Sequence, residues 1–410
     1  MRSSSLDVAL AVDEIDDDSS VTPVTTLRIA RPLPSDWASL PMDCEARSQY
    51  KVLFCDSLLG DDRTVLQEAI EDRKALLVTT PTVDRMYGAA MRAALKRTNT
   101  VSTLVLSARE ETKSMELVES VCKEALSHGL NRRGLLIGFG GGVCLDVVTV
   151  AASLIRRGVG HIRVPTTLIG QIDAGIGLKG AVNFSGKKSF IGTFHPPEQV
   201  LIDPVFLQSL PRKFLVAGIA EAVKMGIVRD PVLFEMLESW SPELVTSGFD
   251  QPAVQGREVL RRAISAMLDE LRKNPFEDQT FERLVDFGHT FSPALEAAMG
   301  FEIQHGEAVA IDMALSATIA RLLGLIAPEA CERILRVLRT ASLPVFARRL
   351  DVPLCREALI EACRHRGGSM NLVVPAGIGR AVFLKHCDDV AEPVLADALA
   401  SLSARVQGES

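Results

Sequence analysis

The sequence predicts an α/β domain built on a parallel sheet, followed by an all-α domain. Three observations carry that prediction. From Tyr50 to about residue 212, short β-rich runs alternate with helical patterns, the order that builds a parallel sheet wrapped by helices. From residue 213 onward the pattern is almost wholly helical. The length of 410 residues also exceeds what one core of about 100 to 200 residues usually holds, which calls for two domains.

Taken in order, residues 1–48 are acidic at Asp7, Asp13, Glu14 and Asp16 to Asp18, then carry Pro23, Pro32, Pro34 and Pro41 without any sustained period. They read as a polar N-terminal extension. Strands are expected at Lys51 to Cys55, Ala75 to Thr79, Thr103 to Ser107, Gly134 to Gly138 and His161 to Val164, with helices over 62–73, 84–97 and 114–128 between them. The helical half includes Ala217 to Met225, Glu258 to Leu271 and Gly306 to Leu325. The boundaries that follow are 49–212 for the α/β domain and 213–410 for the helical one.

Composition narrows the function classes. With 47% hydrophobic and 24% charged residues, the chain has the balance of a globular protein, not of a disordered or fibrous one. No apolar run reaches the ~18 residues of a membrane span, and an acidic start is not a secretory signal. A cytoplasmic location without a membrane partner is therefore expected. Eight cysteines are scattered without a CxxC pair or framework spacing, so reduced, mostly buried thiols are expected. A net charge of -7 disfavours nucleic acid, because phosphate backbones select basic faces. A small phosphorylated ligand can still meet a locally basic pocket.

The strand ending at Gly138 runs into Gly138-Phe-Gly-Gly-Gly-Val-Cys-Leu-Asp146, followed by a helix-forming segment from Val147 to Leu154. Small residues let backbone N–H groups approach a pyrophosphate, and a helix N-terminus favours its charge. The spacing is not the GxGxxG fingerprint, and a tight strand-to-helix turn explains the same glycines. Position after several βα units favours the nucleotide reading, with Gly140, Gly141, Gly142, Val143 and Asp146 as the loop. Glu110 and Lys113 follow the strand 103–107, where an acid suits ribose hydroxyls and a lysine suits phosphates; a solvated helix start reads the same.

Glu221 and Lys224 lie three apart among small apolar residues, so one helix face carries both. Charges with such neighbours are paired or ligating when buried. Asp286-Phe-Gly-His289 and His305-Gly-Glu307 supply two imidazoles, each beside a glycine. Two neutral histidines and one carboxylate form a catalytic zinc set with an open position. A lone histidine is more often a surface or core residue, so it is the combination with Glu221 that points to a metal.

At these residues the sequence resembles the sugar phosphate cyclase superfamily, the dehydroquinate synthase-like enzymes. The resemblance covers about 75–380. It runs in order through Gly140 to Asp146, Arg157-Gly158, Pro165-Thr166-Thr167, Asp173, Lys179, Asn183, Lys188, Gly192, Ala220 to Lys224, Gly288-His289 and His305 to Glu307. It implies an N-terminal NAD-binding domain, a helical C-terminal metal domain, a site between them and a homodimer. NAD+ and Zn2+ are the implied cofactors, with Co2+ able to replace zinc. Glu221, His289 and His305 are the implied metal ligands, and Thr166 and Thr167 join the cofactor loop. Asp173, Lys179, Lys188 and Lys224 line the implied substrate, while Arg157 is implied to reach a phosphate, in its own or the neighbouring subunit.

Within the superfamily, dehydroquinate synthases hold a substrate carboxylate with a Lys and an Arg, a charge-assisted task. At those positions this chain has Leu268 and Glu282. The stretch from Met267 through Asn274 and Glu277 to Pro293 looks like the valiolone synthase branch, whose markers are Asp286 and Pro293, with His365 as a third in place of a phosphate-facing Lys. Asp286 joins the implied catalytic set; Asn183, Ser189, Pro293 and His365 join the substrate set. The implied substrate is sedoheptulose 7-phosphate, a ketose phosphate without a carboxylate. The implied reaction is oxidation by NAD+, β-elimination of phosphate, return of hydride, ring opening and aldol closure to 2-epi-5-epi-valiolone, without net redox.

Four positions depart from the branch: Ser189 where Asn is usual, Phe190 where Arg is usual, Gly180 where Thr is common and Thr80 where Asp is common. They keep a 2-epi-valiolone product open. The rival readings are 3-dehydroquinate synthase, a metal-dependent polyol dehydrogenase that forms net NADH, and a non-catalytic NAD- or sugar-phosphate-binding regulator.

Overall fold

The computed structural model describes residues 49–60, 63–95, 101–300 and 302–408; the polar extension expected over 1–48 lies outside the described residues. Ten strands occur among them, β1 (Lys51–Phe54), β2 (Ala75–Thr79), β3 (Val101–Val105), β4 (Leu135–Gly140), β5 (Gly160–Pro165), β6 (Lys179–Phe184), β7 (Lys187–Phe194), β8 (Gln199–Ile202), β9 (Leu372–Gly377) and β10 (Arg380–Leu384). Six of them form one parallel sheet in the order β1-β8-β5-β4-β2-β3.

The sheet's centre explains the unbroken apolar runs. Every residue of β2 and β4 is buried, as expected for parallel strands covered on both faces. Alternation then decides which face each side chain serves. Leu77, Ile137, Phe139 and Ile162 pack with Leu66 and Phe206 in one core. Leu76, Val78 and Leu136 pack on the other side with Val121, Val147 and Val148.

The expected strands and helices are present with shifted ends. The helix expected from 147 begins at Gly142 and runs to Leu154. The helix expected over 84–97 is broken into Pro81–Val83, a π turn at Asp84–Gly88 and Ala89–Leu95. Residues 179–194, read only as a lysine-bearing segment, form the antiparallel β6–β7 hairpin. Alternation was hidden there because β7 is exposed on nearly every residue. Helices dominate beyond Arg212, but β9 and β10 add a two-stranded ribbon that the sequence reading did not anticipate. A third core, drawn mostly from the helices beyond Arg212, extends under this ribbon.

The carboxyl ends of the central strands converge. The Thr166 N–H donates to the Gly140 carbonyl at 3.0 Å, and a Cβ on Gly140 would lie 3.7 Å from the Thr80 methyl. Ligands of such sheets bind at these ends.

β5 also buries a charge pattern that no parallel strand needs for its own stability. Arg163 and His161 are both fully buried, and the His161 ring stacks on His195 at 5.3 Å. Burial and then the neighbouring Arg163 hold the His161 pKa well below 6.5. The unfolded chain takes up that proton near pH 6.5 and the native state does not, so this group removes stability as pH falls below 6.5 and none above it. We expect His161→Gln to spare about 1 kcal/mol of the stability lost between about pH 7 and 5.5. Urea unfolding of both proteins at the two pH values measures it; identical pH dependence would contradict the assignment.

Candidate active site

The helix Arg212–Val228 is the centre of the helical half: every residue from Leu215 to Val228 is buried. A helix covered all round offers its charges no water, so they must find partners. Lys224 Nζ lies 2.6 Å from Glu221 Oε2, and the two side chains are 2% and 1% exposed. Asp173, from the π turn Gly170–Ala174, approaches the same ammonium at 3.6 Å.

Two histidines close on the other carboxylate oxygen. Nε2 of His305 and of His289 stand 3.3 and 3.6 Å from Glu221 Oε1. Glycines make this approach possible. A Cβ on Gly306 would sit 2.2 Å from the Ala217 carbonyl oxygen, so only glycine lets the helix His305–Leu322 start against the Glu221 helix. Gly288, at φ 78°, would drive a Cβ to 2.9 Å from Met313 and Val309. The glycine beside each histidine is thus what lets its ring reach the carboxylate.

Each imidazole is oriented from behind. His289 Nδ1 donates to the Phe287 carbonyl at 3.0 Å, and His305 Nδ1 donates to Glu296 Oε1 at 2.6 Å. Both rings therefore aim Nε2 at Glu221, the arrangement of histidines that bind metal through Nε2. Glu296, buried on the short helix Ser292–Ala298, also pairs with Lys188 at 3.3 Å. Asp312, fully buried, accepts the N–H groups of Thr290, Phe291 and Ser292 and the Ser316 hydroxyl. It clamps the turn that follows His289.

The cluster fits a divalent cation. Glu221 Oε1 is buried and accepts no hydrogen bond, and the three ligand atoms lie within 4.8 Å of one another. Two ligands of a tetrahedral zinc stand about 3.4 Å apart, close to the observed 3.3 and 3.6 Å. With one lysine against two carboxylates, the buried group is short of positive charge. Burial alone would raise the Glu221 pKa, but Lys224 and then His289 and His305 hold it well below the usual carboxylate range. Burial opposes the charge on Lys224 too, yet Glu221 and Asp173 raise its pKa above the ordinary lysine value. Burial keeps His289 below its usual pKa, while the neighbouring carboxylates of Glu221 and Glu296 overcome burial and push His305 up to about 9. A cation entering the site displaces that proton.

On the sheet side, the loop fits a pyrophosphate. The helix Gly142–Leu154 starts after Gly141 with no side-chain cap, leaving its first N–H groups open to an anion. A Cβ on Gly141 would press to 3.0 Å from the Thr167 methyl, and one on Gly142 to 3.5 Å from Ala174. Lys113 is buried and pairs with Asp146, so the lysine expected on phosphates has a partner inside the protein. Asn183 donates to the Glu110 carbonyl at 2.8 Å and accepts from the Ser189 N–H at 2.8 Å. Its amide shapes the hairpin and ties it to the cofactor edge.

The remaining expected residues separate into two groups. Lys179 and Lys188 stand partly exposed on the hairpin, paired with Glu277 and Glu296. Asp286 is mostly buried and held by Arg283 and Arg366. Arg157, at φ 70°, is exposed on the turn after the glycine-loop helix; Ser189, at φ 52°, and Pro293 are exposed as well. His365 departs from expectation: it is 75% exposed and its Nε2 lies 3.0 Å from Glu361. The helix Val352–His365 ends there, and the chain turns through Gly367 and Gly368, both at positive φ. Arg366 is the residue that turns inward, to Asp286 and to the carbonyls of Met370 and Asn371.

Sequence reading missed Glu296, Asp312, Glu277, Arg366 and Arg163. For Glu296 and Asp312 the signal was available: each is one acid among apolar helix neighbours, the same cue that singled out Glu221.

The 3-dehydroquinate synthase N-terminal family model matches residues 103–217, and the 3-dehydroquinate synthase C-terminal model matches 218–365. A 2-epi-5-epi-valiolone synthase from Streptomyces glaucescens is 40% identical over 87% of this chain and 92% of its own length. A 3-dehydroquinate synthase from a Sulfurovum species is 34% identical over 78% of this chain and 88% of its own. The 2-epi-5-epi-valiolone synthase from Streptomyces hygroscopicus subsp. jinggangensis 5008, solved with NAD+ and Zn2+ bound, superposes with a TM-score of 0.83 at 39% identity, covering 89% of this chain and 100% of that one.

Removing the carboxylate behind His305 tests the metal site without relying on turnover. We expect Glu296→Gln to lower zinc affinity by about ten- to a hundredfold, read by competition with a chromogenic chelator. Unchanged affinity would show that Glu296 does not orient the ligand.

Proposed function

This chain belongs to the 3-dehydroquinate synthase family of sugar phosphate cyclases, and from that premise we propose that it converts sedoheptulose 7-phosphate to 2-epi-5-epi-valiolone with loss of phosphate. One observation separates this from dehydroquinate formation. The two positions that hold a substrate carboxylate with cations in dehydroquinate synthases are Leu268 and Glu282 here. Leu268 packs against the helical core, and Glu282 pairs at 2.6 Å with Lys385. Neither offers a positive charge to a carboxylate. The 40% identity to a valiolone synthase over most of both chains supports the same reading.

In this proposal residues 49–212 bind NAD+, residues 213–410 carry the metal, and the substrate lies between them in a cytoplasmic homodimer. Glu221, His289 and His305 would hold Zn2+, and the N–H groups of Gly140 to Val143 would hold the pyrophosphate. When bound, NAD+ supplies a reversible hydride acceptor and zinc a Lewis acid for hydroxyl oxygens. The protein's own groups handle charge and protons. Burial raises the Asp173 pKa even though Lys224 pulls it down, which suits a carboxyl that passes a proton from a substrate hydroxyl. Lys224 remains charged beside it and steadies the oxyanion that results. Lys179 and Lys188 meet the phosphate from the hairpin and stabilise its charge as it leaves. Asp286, braced by Arg283 and Arg366, orients substrate hydroxyls on the opposite wall.

A second reading, formation of 2-epi-valiolone, draws on Ser189 and Phe190, which depart from the branch on the turn-proximal end of the hairpin. The same experiment decides both. Incubation with sedoheptulose 7-phosphate, NAD+ and Zn2+ is expected to release one phosphate per sugar without net NADH, and NMR of the carbocycle reads its stereochemistry. His289→Ala is expected to abolish turnover and zinc retention together. Net NADH formation would make the protein a dehydrogenase, and absence of any carbocycle would remove the substrate assignment.

A further inference from the structure

We propose that Arg163 is a positioning residue for this reaction: from inside the fold it sets the arch Ala174–Lys179, and with it the placement of the hairpin lysines relative to Asp173 and the glycine loop. The proposal rests on the cyclase reading for what the lysines do, and on geometry alone for the arch.

Arg163 is fully buried on β5, and its described hydrogen bonds go to backbone carbonyls and one hydroxyl. One terminal nitrogen donates to the carbonyls of Ala174, Gly175 and Gly177. The other donates to the Lys179 carbonyl at 3.0 Å and to Thr149 Oγ1 at 2.9 Å. Tyr50 adds its hydroxyl to the Ile176 carbonyl at 2.6 Å. The carbonyls of five of the six arch residues thus converge on two side chains. Burial pushes the guanidinium down to about 10, with Asp146 and Tyr50 pulling it back.

A buried arginine is an expensive way to fill a strand, since an apolar side chain of similar volume would serve stability as well or better. What the guanidinium adds is a rigid fork of donors that fixes several acceptors at once. Ile176 and Leu178 anchor the arch in the core through their side chains, but Gly175 and Gly177 bring none, so the donors of Arg163 are what hold the carbonyls at the glycines. Its two ends are functional: Asp173 precedes it, next to Lys224, and Lys179 closes it as the first residue of β6. Ala174 also borders the glycine loop, at 3.5 Å from where a Gly142 Cβ would be. One buried side chain therefore spans the cofactor loop, the proton-handling carboxyl and the phosphate-facing lysines.

The test uses full-length enzyme loaded with Zn2+ and NAD+, comparing Arg163→Lys, Arg163→Ala and Tyr50→Phe with the natural sequence. Because misplacement of about 1 Å can cost about a hundredfold in rate, we expect Arg163→Lys to lose on the order of ten- to a hundredfold in kcat. Zinc content and NAD+ affinity should stay within about threefold, since neither ligand set is altered. NADH should accumulate, visible at its near-ultraviolet absorbance, because later steps fall out of register after the first hydride transfer. Tyr50→Phe should show a smaller loss in the same direction, and guanidinium ion below denaturing concentrations should restore part of the rate to Arg163→Ala. Hydrogen exchange of residues 174–194 should accelerate in Arg163→Lys while 286–312 stay protected. If Arg163→Lys lowers only the melting temperature, with kcat and exchange of the arch unchanged, the proposal is overturned. Should Arg163→Ala not fold, the Lys and Phe variants decide alone. A natural enzyme that makes no carbocycle would instead defeat the cyclase reading, and the exchange measurement would still judge the arch.

Discussion

Burying the ion pair of Lys224 with Glu221 is the constraint around which the helical half is organised. A helix enclosed over fourteen consecutive residues cannot leave either charge alone, because removing one partner of such a pair costs about 3–5 kcal/mol. The pair does not close on itself, however. Asp173 adds a second carboxylate to the lysine, and Glu221 keeps one oxygen without a hydrogen bond. The same burial that forces the pairing leaves an anionic oxygen facing two imidazoles. Fold stability and metal affinity thus draw on the same residues.

Close approach of backbones is the second requirement, and glycine meets it. The start of the His305 helix lies so near Ala217 that residue 306 has no room for a side chain, and the His289 turn packs closely, though less tightly, against Val309 and Met313 through Gly288. Asp312, on that same helix, takes three successive N–H groups of the turn. One helix therefore supplies one candidate ligand, the seat for the second and the acceptor that locks the seat. Metal sites depend on such supporting contacts nearly as much as on the ligands themselves.

The proposed substrate wall follows a different rule, alternation of opposite charges. Lys179, Glu277, Arg283, Asp286 and Arg366 form a run of opposite pairs, each only partly buried. The more exposed of these pairs contribute little to stability in solvent, and the run as a whole suits the polar, hydroxyl-rich ligand of the proposed function. Beside it, Leu268 packs on the helical core and Glu282 pairs with Lys385, so neither position presents a cation.

Much of this was legible in the sequence. The alternation of β-rich and helical runs determined the parallel sheet, because strands buried on both faces have to be apolar throughout. Glu221 and Lys224 stood out because charged groups among small apolar residues must be paired or ligating when buried, and His289 and His305, each beside a glycine, completed a candidate metal set with Glu221. The glycine loop was legible because a backbone approaching an anion excludes side chains. Other features were decided only in three dimensions. The β6–β7 hairpin buries only Gly180 and Val182, both on β6, too few to impose a period on its sequence. That Arg366 and not His365 turns inward depends on where a helix ends and on two glycines at positive φ. Glu296 and Asp312 act through atoms brought together from separate helices, and Arg163 acts on carbonyls, which every residue has and no sequence motif can mark. Local chemistry writes itself into residue types; the convergence of backbone groups on a buried side chain exists only once the chain has folded.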